Sequence, residues 1–299
     1  MTSLISAQKL KNLAGALGVA VTLASLFFVG IRLFDRRVLA RFSEVMPEIG
    51  IATLAAGLVY GGIIVFLTLA WWRLQGQIDF LTAHRIFGRS QLAKYIPGNI
   101  FHFAVRHSMG YQAAIKHGDL AAATFFEVIS LMAAAATVAF LGSFAFSLLG
   151  EQAFIEPETA FFAALAVLLA AFLAVNAARR LPFVASRLGR FRASQLMASY
   201  SLHLIFFTLG GVILYGLLSV LLPVRIDAPI ASVIGCSATA WLAGFVTPGA
   251  SAGLGVREAC LTLLLTPLVG TETAALAAIT YRFSTTLGDL FYFAVASRL

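Results

Sequence analysis

The stretch "TPGASAGLGVRE", residues 247–258, decides the reading of this chain, because it places a proline, three glycines and an Arg-Glu pair inside an otherwise apolar region. Its surroundings explain why that is unusual. The 299 residues are 60% hydrophobic and 11% charged and include 26 phenylalanines, more apolar surface than a soluble domain of this size hides. The chain therefore reads as an all-α integral membrane protein.

A bilayer core about 30 Å thick needs about 20 apolar residues in a helix. Residues 13–31, 49–72, 120–149, 159–177, 200–224 and 273–296 meet that length. Two further stretches are apolar but interrupted: 80–118, which carries Arg85, Arg89, Lys94, Arg106 and Lys116, and 228–269, which contains the opening motif. The first span follows Lys9 and Lys11 but is long for a signal-peptide core and lacks a clear cleavage site, so an uncleaved span is expected. The net charge of +8 is spread in short clusters between apolar runs, a pattern that suits an anionic membrane surface, and no nucleic-acid motif is present. Cys236 and Cys260 lack metal or disulfide spacing and read as packing residues.

Working outward, "IPGNIFHFAVR" (96–106) answers "TPGASAGLGVR" (247–257) about half a chain earlier, and both place Arg nine residues after Pro. "YGGIIVF" (60–66) likewise matches "LGGVILY" (209–215). These matches predict an internal duplication, with 1–150 and 151–299 as two repeats of one transmembrane domain. Each repeat would hold three transmembrane helices and one broken re-entrant hairpin, giving about eight membrane segments in a polytopic helix bundle. An odd number of crossings per repeat makes the two repeats inverted. The positive-inside rule gives a check: 178–199 has five arginines and no acid, whereas 150–158 has three glutamates and no base. The first is then cytoplasmic and the second outside, with both termini cytoplasmic in the cell's inner membrane. The basic segment 32–48 lands outside and disagrees with the rule.

Backbone groups released from a helix in lipid must be buried in protein or line a wet cavity. Pro97-Gly98 and Pro248-Gly249 are such interruptions, expected to form hairpins whose tips meet near the midplane. Arg106 and Arg257 at matched positions would then converge on one anionic head group, a phosphate above all. The expected head-group site comprises these arginines with Tyr95, Pro97, Gly98 and Asn99 of the first motif, and Pro248, Gly249, Ser251, Gly253 and Gly255 of the second. Small residues in "GASAGLG" would admit the head group to the backbone, and loss of either arginine would weaken binding without unfolding. Glu127, Glu258, Arg282 and Asp289 are candidates for gating or charge pairing. Arg282 and Asp289 lie seven apart on one helix face, and Glu127 suits a proton-coupling carboxyl as well as an ion pair. His102, His107 and His203 read as satisfied polar residues, and Gly57 and Gly61 as helix packing rather than a dimer motif.

"KYIPGNIFHFAVR" (94–106) and "TPGASAGLGVREA" (247–259) resemble the paired signatures of the membrane flippase domain of bacterial lysylphosphatidylglycerol synthases and their stand-alone relatives. The resemblance covers essentially the whole chain. Pro248, Gly249, Gly253, Gly255, Arg257 and Glu258 fit the family's P-G-G-x-G-x-R-E, with Ala250-Ser251-Ala252 intervening; Tyr95, Pro97, Gly98 and Arg106 match the first motif, where Asn99 replaces a commoner Gly. It implies a transport half without an aminoacyl-transferase domain. The expected function is that of a lipid translocase moving an anionic phospholipid or a polyprenyl-phosphate-linked lipid between leaflets. A non-transporting lipid-binding or assembly subunit and a head-group transferase are the alternatives. No clustered acids or histidines suggest an enzyme, and no metal, cofactor or nucleotide-binding loop is expected. The expected partners are the membrane lipid and no nucleic acid, and the reading is compatible with a homodimer and with contacts to envelope-lipid biosynthetic enzymes.

Overall fold

The computed structural model describes residues 23–24, 27, 30–31, 36–96, 100–147, 191–222, 229–247 and 251–299, the side chains of 36–47, 145–147 and 251 excepted. The expected span 159–177, most of 13–31, and the loops 150–158 and 178–190 lie outside these residues. Among the described residues there is no strand; residues 23–24, 27 and 30–31 are helical, and the α-helices with described bounds are α1 (Arg36–Gln75), α2 (Phe80–Gln91), α3 (Phe101–Gln112), α4 (His117–Ser147), α5 (Ala193–Leu221), α6 (Ile230–Val246), α7 (Val256–Val269) and α8 (Thr271–Arg298).

Three of the described helices are long and apolar enough to cross a membrane, over Glu48–Gln75, His117–Phe144 and Ala193–Leu221. Only 33% of the most apolar stretch of Glu48–Gln75 is buried within the protein. The rest presents Ile51, Leu54, Leu58 and Val59 outward, as Ile205 and Val212 are presented by α5. An apolar outer surface of this extent is unstable in water and needs lipid around it. The protein is accordingly membrane-embedded. The inward faces follow helical spacing: Leu120, Ala123, Glu127, Leu131, Ala134 and Val138 form one stripe on α4, and His203, Phe206, Gly210, Leu214, Leu217 and Leu221 one on α5.

The segment 32–48 was expected to be a loop, yet α1 is already helical from Arg36. Arg36, Arg37, Arg41, Glu44 and Glu48 belong to the first turns of a helix that runs well past the apolar span.

α1 and α8 run parallel, since Ser284 Oγ donates to the Thr53 carbonyl at 3.2 Å and Thr68 Oγ1 meets the Tyr292 hydroxyl at 2.5 Å further along both helices. Gly57 and Gly61 lie in this seam, where an added Cβ would stand 3.0 Å from Leu287 Cβ and 3.1 Å from the Gly288 carbonyl respectively. Their small size serves packing within the chain, as the sequence suggested. α1 and α5 run antiparallel: Gln195 Nε2 donates to the Arg73 carbonyl at 2.9 Å, and the Tyr60 and Phe206 rings meet at 5.8 Å one third of the way back along α1. Contacts recur across the two halves. α1 packs on α8 as α5 packs on α4, α2 on α8 as α6 on α4, α2 on α1 as α6 on α5, and α3 on α4 as α7 on α8. Cys236 and Cys260 are free thiols packed against an apolar cluster that includes Leu214, Leu218, Val233, Leu261 and Leu265.

In the exposed turn between α1 and α2, Asp79 caps α2, accepting the Thr82 hydroxyl at 2.6 Å and the Thr82 N–H at 3.0 Å. Those two bonds hold its carboxyl below the usual carboxylate range. A depressed folded value means that the stabilisation is full at neutral pH and is lost as pH falls through that lowered value. Asp79→Ala is expected to lower the melting temperature at neutral pH, with Asp79→Ser retaining most of it. The difference between wild type and Asp79→Ala should shrink at about pH 3, which melting curves at the two pH values check.

Candidate functional site

Both interrupted segments are breaks between helices. In the first, α2 tightens into a 3-10 turn over Leu92–Tyr95 and helix resumes with α3 at Phe101. In the second, α6 stops at Val246, a 3-10 turn covers Ser251–Gly253, and α7 starts at Val256. The two 3-10 turns touch one another. Pro97, Gly98, Asn99, Pro248 and Gly249 lie outside the described residues, as does the side chain of Ser251.

α8 clasps both breaks. Its Asp289 receives Lys94 Nζ at 2.8 Å and the Tyr95 hydroxyl at 2.6 Å. Its Arg282 sets Nε 3.1 Å from Glu258 Oε1 and donates from Nη1 to the Ala252 carbonyl at 3.2 Å. The Arg282 guanidinium also sits 5.7 Å from the centre of the Tyr95 ring, so one residue touches both turns. A pair between Arg282 and Asp289 is therefore not formed. Seven residues along a helix separate two side chains by about 10 Å of rise, whereas residues three or four apart meet. Both charges instead reach partners that the fold brings from other segments.

Arg106 is 2% exposed and pairs with Glu127, Nη1 to Oε1 at 2.6 Å, while its Nε donates to Ser90 Oγ at 3.3 Å. Its guanidinium lies 3.8 Å from the centroid of the Phe87 ring. Glu127 Oε2 has no hydrogen-bond partner. The first of the two expected head-group arginines is thus already neutralised by a buried carboxylate.

Arg257 is held differently. No carboxylate lies within 4.0 Å of it among the described residues, its Nε is buried without a partner, and its guanidinium sits 5.3 Å from the Trp241 ring centre. Its stem fills a slot between Gly244 and Gly253; a Cβ at Gly253 would stand 2.7 Å from Arg257 Nε and 3.0 Å from Gly244 Cα. The room over Gly253, expected to receive a head group, is occupied by the arginine itself. Gly253 and Gly255 also carry positive φ angles of 72° and 80°, and Ala252 has 49°, a left-handed run that glycine accepts more readily than other residues. Gly255 starts α7, its N–H donating to Glu258 Oε2 at 2.6 Å. These two glycines thus shape the turn and seat Arg257.

Two adjoining cavities share Tyr60, Phe206, Trp241 and Arg257 in their walls. The larger is also lined by Lys94, His102, Arg106, Glu127 and Asp289, and the smaller by Ser237, Glu258, Tyr281 and Arg282. Arg106 and Arg257, picked out by their matched positions, line a common cavity; Arg106 is buried and Arg257 is partly exposed. His107 meets His117 at 2.9 Å, and His203 Nδ1 meets Ser130 Oγ at 2.9 Å. His203 Nε2 and His102 Nδ1, however, are buried without a partner, so neither of these two residues is fully satisfied. Sequence reasoning also passed over Lys94, Tyr60 and Trp241. Lys94 adjoins Tyr95 in the first motif and was legible there, but nothing in the sequence marks Tyr60 or Trp241. Among the described residues no group of three or more His, Cys, Asp or Glu side chains gathers as a metal site. No family model matches the chain, and no curated protein matches it in sequence.

Proposed function

We propose that the protein is a lipid translocase that passes an anionic lipid head group between leaflets through its charged interior. The observation that carries this reading is a pair of adjoining cavities, set among helices with apolar outer faces, whose walls hold four cations among the described residues. A phosphate does not cross hydrocarbon unaided, and a wall of guanidinium, ammonium and hydroxyl groups replaces its hydration while acyl or prenyl tails remain in lipid. The two halves act as inverted repeats, a reading supported by their paired helix contacts and by the antiparallel run of α1 and α5. Their touching 3-10 turns would then mark the level at which the head group is handed over, and rocking of one half on the other would expose it to each leaflet in turn. The motif likeness to the flippase domain of lysylphosphatidylglycerol synthases supports the same function, with both termini cytoplasmic in the inner membrane.

The test is reconstitution into liposomes carrying a phosphatidylglycerol with a head-group fluorophore. The protein is expected to bring inner-leaflet probe within reach of external dithionite, and Arg257→Ala to slow that exchange by about tenfold, the effect of losing one charge-assisted contact. Probe that stays protected with folded protein present would make the chain a lipid-binding subunit. Chemical conversion of the lipid would make it a transferase.

A further inference from the structure

We infer that the paired cavities accept one phosphodiester monoanion, held by Arg257, and discriminate against dianionic phosphomonoesters and against zwitterions. Among the described residues the charges in the walls pair off with one left over. Lys94 is matched by Asp289, Arg106 by Glu127 and Arg282 by Glu258, with separations of 2.8, 2.6 and 3.1 Å. Arg257 alone among the described cations of the walls has no carboxylate. Residues 97–99 and 248–250, which complete the two breaks, are Pro-Gly-Asn and Pro-Gly-Ala and add no charge.

An unbalanced charge partly shielded from water is costly, so the ligand that best fits is one that brings a single negative charge. A phosphodiester does so on two non-bridging oxygens. Two buried donors lack partners in the smaller cavity's walls, Arg257 Nε and Arg282 Nη2, so those oxygens find two guanidiniums rather than one. A dianion leaves one negative charge unmatched. A zwitterion brings its own cation next to Arg257 and gains little. The apolar part of the same wall, Phe206, Phe207, Ala240 and Leu261, suits the glycerol and first methylenes of a lipid. That the phosphodiester belongs to a lipid rests on the translocase reading; the preference for one charge does not.

Binding to purified protein in nonionic detergent tests the inference, using dioctanoyl phosphatidylglycerol, phosphatidic acid and phosphatidylcholine at about pH 8.5, where a phosphomonoester carries close to two charges. Phosphatidylglycerol is expected to bind about tenfold or more tighter than the other two, because one unit charge at close range in a partly shielded site outweighs a decade of affinity. Arg257→Gln should abolish its advantage over phosphatidylcholine, and Arg257→Lys should keep most of it. Glu258→Gln keeps an acceptor for the Gly255 N–H, raises the excess to two cations and should move the preference to phosphatidic acid. Elution volume and helical circular dichroism establish that each variant is folded. Equal binding of phosphatidic acid and phosphatidylglycerol to wild type, or an unchanged preference in folded Arg257→Gln or Glu258→Gln, overturns the inference. Two further results separate it from the translocase reading. If deacylated glycerophosphoglycerol binds as tightly as the lipid, the single-charge preference stands and the lipid reading falls. If phosphatidylglycerol crosses liposomes with no charge preference in binding, the translocase stands and this inference falls.

Discussion

Glu127→Ala is expected to destabilise the protein by about 3–5 kcal/mol, the range seen when one member of a buried ion pair is removed and the other is left uncompensated. Arg106 and Glu127 have side chains only 3% and 5% exposed, and they meet at 2.6 Å. Arg106 is further fixed by the Phe87 ring and Ser90. Arg106→Ala should cost a similar amount, because Glu127 then stands in the cavity wall with both oxygens unpaired. Arg106→Met/Glu127→Met is expected to recover most of the loss, since replacing both charges by apolar groups of similar volume removes the desolvation penalty together with the attraction. Unfolding curves for the two single variants and the double variant measure this coupling. If Arg106→Ala alone unfolds like wild type, the pair contributes nothing to folding, and Arg106 returns to the role its motif position suggested, a ligand for the head group. That earlier expectation treated Arg106 and Arg257 as equivalent and both as dispensable for folding. The fold separates them, giving Arg106 a buried counter-ion and Arg257 none among the described residues.

The second large effect is steric. Gly142 on α4 and Gly235 on α6 bring two helix backbones into contact: a Cβ at Gly142 would collide with Gly235 Cα and stand 2.6 Å from the Ala231 carbonyl and 2.7 Å from Gly235 N. Backbone, unlike the end of a flexible side chain, has nowhere to move. Gly142→Ala is expected to cost at least the 1–3 kcal/mol typical of overpacking, and Gly142→Leu to prevent assembly of α4 on α6. Gly216 on α5 is the control, as nothing lies within 4 Å of its added Cβ. Gly216→Ala should be neutral or slightly stabilising, because glycine is the poorer helix former by about 1 kcal/mol. Thermal unfolding in detergent and the yield of folded protein read both. A Gly142→Leu variant as stable as wild type would mean that the two helices do not touch there in the membrane.

Much of the fold was legible because its causes are local. Long apolar runs give helices at 49–72, 120–147 and 200–221, and the two Pro-Gly sites mark where helix stops and restarts. The role of 36–48 was not legible: arginines and acids suggested a loop, but charge density does not prevent a helix from continuing past the apolar layer. In the site, matched spacing after Pro picked out Arg106 and Arg257, and both line one cavity. Tyr60 and Trp241 went unnoticed, as aromatic residues in an apolar helix look alike whether they face lipid, core or cavity.

By itself the sequence determined the material of the protein, its membrane helices, its two helix breaks and which arginines belong with them, because hydrophobic length, proline and repeat spacing act along the chain. Tertiary structure alone decided which charge meets which: Lys94 with Asp289, Arg106 with Glu127, Arg282 with Glu258, and Arg257 with no carboxylate among the described residues. Ion pairing depends on a few ångströms through space and on shared burial, and residues nearly two hundred positions apart acquire that proximity only when the helices pack.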